Sequence, residues 1–308
     1  MNYKVLKRLL LIWGYVAGIL SAICYGANAF CKVLFNSGYD VGTVLMYRFG
    51  LGAALLAAYI VATKGKFVLD IVGFRISAIL GILFAISSFT FYHSFKLMDV
   101  GIASTMVYSY PIFVAALMAI FFKERLTVRS TLAFIVAFIG IAELSLHSGT
   151  STSALLFDHG LTPLAKGLIV VIISALAYAI YIVVVNQTNI KRVPISTLTF
   201  WVLFFCFIGI ATGAFLEGGP TAFKLPHTPL HWIVAIGLAI VPTLLSLIFM
   251  TISTKRLGPT PTAILGAVEP VTAVIIGFFT FGEALSLRLF VGMTLVMLAV
   301  GILIFKRN

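Results

Sequence analysis

Residues 97–126 read LMDVGIASTMVYSYPIFVAALMAIFFKERL, and residues 256–285 read RLGPTPTAILGAVEPVTAVIIGFFTFGEAL. An offset of 159 positions aligns Pro111 with Pro270 and Glu124 with Glu283. In each copy the glutamate follows the proline by thirteen positions, and an apolar run lies between them. An internal repeat of this kind predicts a chain built from two related halves.

A second pair of segments aligns nearer the start of each half. At an offset of 153, GILSAICYG from Gly18 aligns with VIISALAYA from Val171, which places Ser21 on Ser174. A Ser/Thr/Gly-rich segment near mid-chain, residues 148–164, separates the halves. We therefore expect a first repeat over residues 1–147, a linker over 148–164 and a second repeat over 165–308.

The composition excludes a soluble fold. Of the 308 residues, 61% are hydrophobic and only 10% are charged, against about 25% in an ordinary soluble domain. A membrane helix needs about 20 mostly apolar residues. By that criterion the sequence predicts an all-α membrane protein with ten spans, at residues 10–35, 41–62, 72–95, 100–122, 128–147, 165–187, 195–216, 230–254, 260–281 and 286–305.

The net charge of +12 follows the predicted loops. With the N-terminus inside, the inside segments hold fifteen Lys or Arg residues and the outside segments hold four, which are Lys96, Lys166, Lys224 and Arg288. This asymmetry obeys the positive-inside rule and predicts a multi-pass protein of a bacterial-type inner (plasma) membrane, with both termini cytoplasmic. The basic residues form no patch with interleaved aromatic residues, so nucleic acid is not an expected partner.

The span count also predicts how the halves are related. Each repeat holds five spans, and because five is odd, the second repeat must enter the membrane from the opposite side. Inverted repeats of this kind are typical of secondary transporters, which handle the substrate near the midplane and work by alternating access.

The two Pro-x12-Glu segments, the step SFKLMDVGIASTMVYSYP and the segment ALAYAIYIVVVN resemble those of the drug/metabolite transporter superfamily, EamA type. The resemblance covers essentially the whole chain. It implies two five-helix repeats around a central cavity lined mainly by the first four spans and the sixth to ninth. It also implies that the fifth and tenth spans pack peripherally, where a homodimer face is one alternative.

Glu269 is the first candidate for a functional role, because ionisable groups within spans are costly to bury. It lies about nine residues into the ninth span, near the midplane. Pro270 follows it, and a proline loosens a helix, as we also expect at Pro111. A carboxylate beside freed backbone carbonyls can bind a cation or carry a proton. The alternative is a structural glutamate that is hydrogen-bonded to a neighbouring helix.

Two further ionisable residues lie within spans. Arg48, in the second span, is placed to attract an anionic group such as a substrate carboxylate, to pair with Glu269 or to snorkel outward. His93, in the third span, is either a cavity residue or an interfacial residue near Lys96.

Other charged residues favour structural interpretations. Lys32 is expected to snorkel from the outer end of the first span. Glu124 and Glu283 are expected to pair with nearby Arg125 or Arg288.

Aromatic residues within the spans supply the remaining site candidates. Several of these side chains lie deeper than the interface that tyrosine prefers, and a cavity lined by them suits organic solutes or quaternary ammonium groups. The candidates are Tyr25, Tyr47, Tyr92, Tyr108, Tyr110, Tyr178, Tyr181 and Trp201. Asn28 lies about one helical turn after Tyr25, which favours a shared site. Two Gly-x-x-x-Gly motifs, at Gly14 and Gly209, are interpreted as helix-packing contacts.

These features favour a secondary-active transporter or exporter of small organic solutes, such as amino acids or related metabolites. An importer of a choline-like cation held by Glu269 and tyrosines is the alternative. A membrane-embedded enzyme using Glu143 and His147 is a remote one. The substrate and membrane lipid are the expected partners, and proton coupling through Glu269 is a possibility. No phosphate loop, zinc motif or cysteine cluster is present, so we expect no catalytic residue, metal or cofactor.

Overall fold

The computed structural model describes most of the chain. The described residues are 3–123, 128, 132, 135–136, 139–140, 143, 163–187, 194–218, 224–257, 265–266 and 268–304. Helices dominate this part of the chain. The first half contains α1 (Tyr3–Gly26), a 3-10 turn (Ala27–Phe30), α2 (Cys31–Asn36), α3 (Val41–Ala62), α4 (Ile71–Ser94), α5 (Val100–Val107) and α6 (Tyr110–Phe122).

The second half continues the same architecture. It contains α7 (Pro163–Gln187), α8 (Ile195–Gly218), α9 (Pro229–Ala239), a π-helical segment (Ile240–Leu245), α10 (Ser246–Leu257), α11 (Val268–Phe281) and α12 (Leu287–Ile304).

Within the described residues, seven helical segments are long and apolar enough to cross a membrane. They correspond to the first four predicted spans and to the sixth, seventh and eighth. The ninth and tenth predicted spans correspond to shorter apolar helices, and most of the fifth lies outside the described residues. The chain is therefore an all-helical, multi-pass membrane protein, whereas the count of ten stays a prediction.

The exterior of the bundle is apolar. Large side chains such as Phe121 (70% exposed) and Leu216 (79% exposed) project outward from the helices. Several polar side chains instead lie in the interior, among them Arg48, Asn28 and Thr243. A surface of this kind fits hydrocarbon, and the buried polar groups gather where the halves meet.

The main helix contacts join the two halves. The helix α1 packs against α10 and α11, α4 packs against α7 and α8, α3 packs against α8 and α9, α5 packs against α11, and α5 and α6 pack against α7. Exchanging the first four spans with the sixth to ninth maps these contacts onto themselves. The core is therefore shared between the halves and has approximate two-fold symmetry.

Two serine pairs repeat this symmetry at the level of single atoms. Ser21 Oγ donates to the Ser246 carbonyl at 2.9 Å, where α1 meets α10. Ser174 Oγ donates to the Ser87 carbonyl at 2.7 Å, where α7 meets α4. Ser21 aligns with Ser174 at the offset of 153, and Ser87 with Ser246 at the offset of 159. The same contact therefore forms at two equivalent places.

The two Gly-x-x-x-Gly motifs have different roles in the structure. A Cβ atom at Gly14 would lie 2.8 Å from Leu257 Cγ, and one at Gly18 would lie 2.8 Å from Ser253 Oγ. The first motif therefore permits the close approach of α1 and α10. A Cβ atom at Gly213 would meet nothing within 4 Å, so the packing interpretation is wrong for that residue.

The α-helical geometry is interrupted at three points in the described spans. The first span contains the 3-10 turn at Ala27–Phe30, and the eighth contains the π-helical segment with Pro242. The fourth span ends its first helix at Val107 and resumes at Tyr110, one residue before Pro111. Interruptions of this kind leave backbone groups outside the regular helical pattern and often mark functional sites.

Candidate functional site

Four tyrosines form a continuous aromatic chain where the halves meet. The ring centroids of Tyr108 and Tyr110 are 5.7 Å apart, those of Tyr110 and Tyr178 are 4.8 Å apart, and those of Tyr178 and Tyr181 are 5.8 Å apart. Phe84 of α4 contacts the last two rings. We call Tyr108, Tyr110, Tyr178 and Tyr181 the tyrosine cluster. It joins the interrupted fourth span to α7.

Glu269 lies in the first turn of α11, and its backbone N–H donates to the Gly266 carbonyl at 2.9 Å. The charge of its carboxylate acts on the hydroxyls of Tyr25, Tyr108, Tyr110 and Tyr178. Glu269, Tyr25, Tyr110, Tyr178 and Tyr181 are deep in the protein but keep partial surface accessibility. We call the partly accessible interior region that these side chains define the Glu269 crevice.

Arg48 is 1% exposed, so it does not snorkel. Its Nε atom donates to Thr243 Oγ1 at 2.9 Å, and one terminal nitrogen donates to the Tyr92 hydroxyl at 3.1 Å. The rings of Tyr25, Phe49 and Tyr92 lie within 5.9 Å of the guanidinium carbon. Glu269 acts on this charge at longer range, but no Asp or Glu oxygen in the described part of the chain lies within 4.0 Å of Arg48.

Asn28 joins the Arg48 network through Tyr92, whose hydroxyl donates to Asn28 Oδ1 at 2.8 Å. Asn28 sits in the 3-10 turn and Thr243 in the π-helical segment. Thr243 was not among the predicted site residues, although its neighbour Pro242, in the middle of the eighth span, marks an irregular helix. Among the described residues, Asn28 Nδ2 and Ser109 Oγ are buried atoms without a hydrogen-bond partner.

The loops near Asp40 hold one end of the bundle together. Asp40 lies between Lys96 and Lys224, at 3.9 and 3.6 Å, and Tyr39 Oη lies 3.1 Å from His231 Nδ1. We call this end of the bundle the Asp40 end. Tyr47 also lies here, because its hydroxyl donates to the Lys224 carbonyl at 3.1 Å and its ring contacts Trp232. The structure therefore places Tyr47 among the contacts that join the two halves at the Asp40 end, and not in the tyrosine cluster.

Lys32 and Glu283 form an ion pair at the same end, with Nζ and Oε1 2.7 Å apart. Glu283 also accepts the backbone N–H groups of Val100 at 3.0 Å and Gly101 at 3.5 Å, at the start of α5. Two predictions are corrected here: Lys32, which was expected to snorkel, forms an ion pair, and Glu283, which was expected to pair with Arg125 or Arg288, pairs with Lys32. The pairing follows because the carboxylate faces both a cation and a helix N-terminus.

The remaining candidates lie elsewhere. Trp201 Nε1 donates to the Phe67 carbonyl at 2.8 Å, and its ring packs with Phe74 and Phe205. The described ring contact of His93 is with Phe89 of the same helix. Pro270 is buried in the first turn of α11. Glu124, Arg125 and His147 lie outside the described residues.

No metal centre is found in the described ranges, where no three His, Cys, Asp or Glu side chains come together. An apolar groove of about 510 Å³ lies between α11 and α12 and is separate from the crevice; its walls are formed by Val271, Met293, Thr294, Met297, Leu298, Gly301 and Ile302.

Comparison with known families identifies the family to which this architecture belongs. A model of the EamA-like transporter family matches residues 12–146 and again residues 165–305, which together make up most of the chain. The chain belongs to the EamA-like transporter family. The double match shows that this EamA-like transporter contains two repeats of one family unit.

Relatives of similar length support the assignment. An uncharacterized transporter of Archaeoglobus fulgidus is 26% identical over 96% of this chain and 97% of its own length. The uncharacterized transporter YdfC of Bacillus subtilis is 25% identical over 83% of this chain and 79% of its own length. A solved crystal structure with 19% identity covers 94% of the EamA-like transporter and 95% of its own chain, with a TM-score of 0.62, and so has the same fold.

Proposed function

We propose that this EamA-like transporter is a secondary-active exporter of small organic solutes, amino acids or related metabolites, that works by alternating access. The observation that carries the proposal is the Glu269 crevice at the junction of the halves, where the charge of Glu269 acts on Tyr25 and on three residues of the tyrosine cluster, Tyr108, Tyr110 and Tyr178. A carboxylate in such a site can bind a cationic group or carry a proton. Aromatic faces favour organic solutes.

The contacts between the halves support alternating access. The helix pairs and the two serine pairs have approximate two-fold symmetry, so an exchange of conformations between the repeats preserves the same kinds of contact. We extend the proposal to two inverted five-helix repeats, residues 1–147 and 165–308, joined by the linker 148–164. The positive-inside distribution supports an inner-membrane location with cytoplasmic termini, and thus an Asp40 end that faces outward.

Counterflow tests the proposal. Purified protein in liposomes is assayed against a panel of amino acids, amines and nucleosides, as wild type and as Glu269→Gln. We expect an amino acid to exchange, and we expect Glu269→Gln to keep exchange but lose uptake driven by a pH gradient. Asp70→Asn is the matched control, because it neutralises an exposed carboxylate outside the crevice and keeps an oxygen for the helix cap.

Other results assign Glu269 differently. Loss of all exchange in folded Glu269→Gln makes the residue a binding or gating group rather than a proton carrier. Absence of exchange for every panel member in the wild type rejects the amino-acid proposal.

An importer of a choline-like cation is the second candidate, favoured by the tyrosine cluster close to a carboxylate. Competition separates the two candidates. If the tyrosine cluster binds a cation, choline and other quaternary amines without a carboxylate inhibit exchange at low concentration. If the protein is an amino-acid exporter, amino acids inhibit exchange instead.

A further inference from the structure

The Arg48 guanidinium is a buried positive charge that the described residues do not pair with a carboxylate. It is 1% exposed, it donates hydrogen bonds to the neutral hydroxyls of Thr243 and Tyr92, and the Tyr25 hydroxyl is a further neutral partner. Burial of an unpaired charge costs several kcal/mol, roughly, unless an opposite charge compensates it. The position therefore favours an anionic group from outside the chain.

The hydrogen bonds around Tyr92 also fix the orientation of Asn28. A guanidinium only donates hydrogen bonds, so the Tyr92 oxygen accepts from Arg48 and its single proton goes to Asn28 Oδ1. The Asn28 amide nitrogen is then a donor. Asn28 is 2% exposed, and this nitrogen has no hydrogen-bond partner in the described structure. A buried donor without an acceptor lies two hydrogen bonds away from the unpaired cation.

Tyr25 connects this region to the Glu269 crevice. Its ring lies 5.9 Å from the Arg48 guanidinium carbon, and its hydroxyl also interacts with the Glu269 charge. Arg48 and Glu269 influence each other but do not form an ion pair. A buried positive group and a partly accessible negative group therefore both interact with one tyrosine without pairing with each other.

We propose that Arg48 and Asn28 form a carboxylate-binding subsite, and that the substrate is a zwitterion whose ammonium group is held toward Glu269 and the tyrosine cluster. This inference rests on the proposed function and narrows its substrate class to amino acids with a free carboxylate. Guanidinium and amide donors suit the two oxygens of a carboxylate. A choline-like cation has no negative group to pair with Arg48, and a simple carboxylic acid has no positive group to pair with Glu269.

Matched compounds test each charge of the substrate. Counterflow inhibition is measured for L-phenylalanine, phenethylamine, L-phenylalaninamide and 3-phenylpropionate, and for the corresponding four compounds built on leucine. We expect one amino acid to inhibit at least about tenfold more strongly than its amine, amide and acid analogues, the size of a charge-assisted hydrogen bond.

Two variants assign that preference to the subsite. Asn28→Asp keeps an oxygen for Tyr92 and places a fixed carboxylate close to Arg48. We expect it to reduce the preference for the amino acid over its amine by about tenfold or more. Arg48→Gln should have the same selectivity effect if it folds. Arg75→Gln, at an exposed arginine of α4, is the control and should match wild type.

The outcomes separate this inference from the proposed function. Equal inhibition by the amine and the amino acid, or an unchanged preference in Asn28→Asp, overturns the carboxylate subsite while transport of organic solutes stands. The subsite is also overturned if the protein exchanges a solute without a carboxylate in a manner that depends on Glu269, while none of the phenylalanine and leucine compounds inhibits. If no solute of any class exchanges, the proposed function is rejected and the inference with it.

Discussion

Ser21 and Ser174 donate equivalent hydrogen bonds, to Ser246 and Ser87, at the two places where a helix of one half crosses a helix of the other. The Oγ atoms of Ser21 and Ser246 are 3.4 Å apart, and those of Ser87 and Ser174 are 3.3 Å apart. Because the two contacts are equivalent, a rocking motion that exchanges the conformations of the halves can preserve both. The serine pairs are thus suited to act as pivots.

Cross-linking tests this pivot role. We expect Ser21→Cys with Ser246→Cys to form a disulfide, since the paired side-chain atoms are already close, and to retain at least about half of wild-type transport when oxidised. The measurement is exchange in liposomes before and after oxidation, in a background with Cys24, Cys31 and Cys206 replaced by alanine.

The matched cross-link is Lys32→Cys with Glu283→Cys at the Asp40 end, bridged by a reducible bis-methanethiosulfonate linker, because the ion pair joins the tips of two long side chains and cysteines there are too far apart for a direct disulfide. The bridged protein should lose transport and regain it on reduction, because this contact must open if the Asp40 end opens. Equal inhibition by both cross-links would refute the distinction between pivot and closure.

The ion pair between Lys32 and Glu283 should control opening of the Asp40 end. Glu283→Gln removes the charge that faces Lys32 and weakens the cap on α5, a loss of about 1.5 kcal/mol. Cys31, which is 0% exposed next to Lys32, reports on the opening. In a Cys24→Ala, Cys206→Ala background, we expect an impermeant maleimide to modify Cys31 roughly tenfold faster in Glu283→Gln.

Asp40→Asn provides the comparison for this measurement. Asp40 is exposed and lies 3.6 and 3.9 Å from its two lysines, so its ion pairs contribute less than about 1 kcal/mol. The Cys31 rate should change by less than about threefold. A larger effect in Asp40→Asn than in Glu283→Gln would contradict the assignment of the main closure to Glu283.

The junction between α4 and α8 should be sensitive to a single methyl group. A Cβ atom at Gly81 would lie 2.5 Å from Phe205 Cβ and 3.0 Å from the Val202 carbonyl oxygen. Gly81→Ala should therefore lower stability by about 1–3 kcal/mol through overpacking. Thermal unfolding in detergent measures this loss. Gly213→Ala in α8 meets nothing within 4 Å and should match or slightly exceed wild-type stability.

The Tyr92 hydroxyl should contribute to stability through the Arg48 network. Tyr92→Phe removes an acceptor for Arg48 and a donor for Asn28, which leaves buried polar groups unpaired at a cost of about 1–3 kcal/mol. We expect a lower melting temperature. Tyr59→Phe, at a side chain 57% exposed on the bundle exterior, should leave it unchanged. Equal melting temperatures for the two variants would show that the network contributes little.

The helix positions could be predicted from the sequence because hydropathy and loop charge are local properties. The second predicted span, 41–62, coincides with α3, and the third differs from α4 by one residue at each end. The depth of Glu269 in the membrane, counted from the start of the predicted ninth span, stays a prediction, since α11 begins at Val268.

Pairings between the halves could not be predicted in this way. Lys32 and Glu283 are 251 positions apart, and their meeting depends on helix rotations that side-chain packing decides. Arg48 shows the same limit. Its sequence position was consistent with binding an anionic group, with pairing to Glu269 or with snorkelling outward. In the structure it donates to Thr243, which lies in a π-helical turn that hydropathy does not reveal.

The packing of each half mainly against the other has a consequence for how the protein is made. While the ribosome is still synthesising α7 to α12, the inserted α1, α3 and α4 lack the helices that will cover their small and polar faces. The helices of the first half therefore stay loosely associated in the bilayer, and assembly is completed only after the last helices have left the ribosome and inserted. Separately expressed halves should rescue each other in the same cell, and either half alone should be degraded.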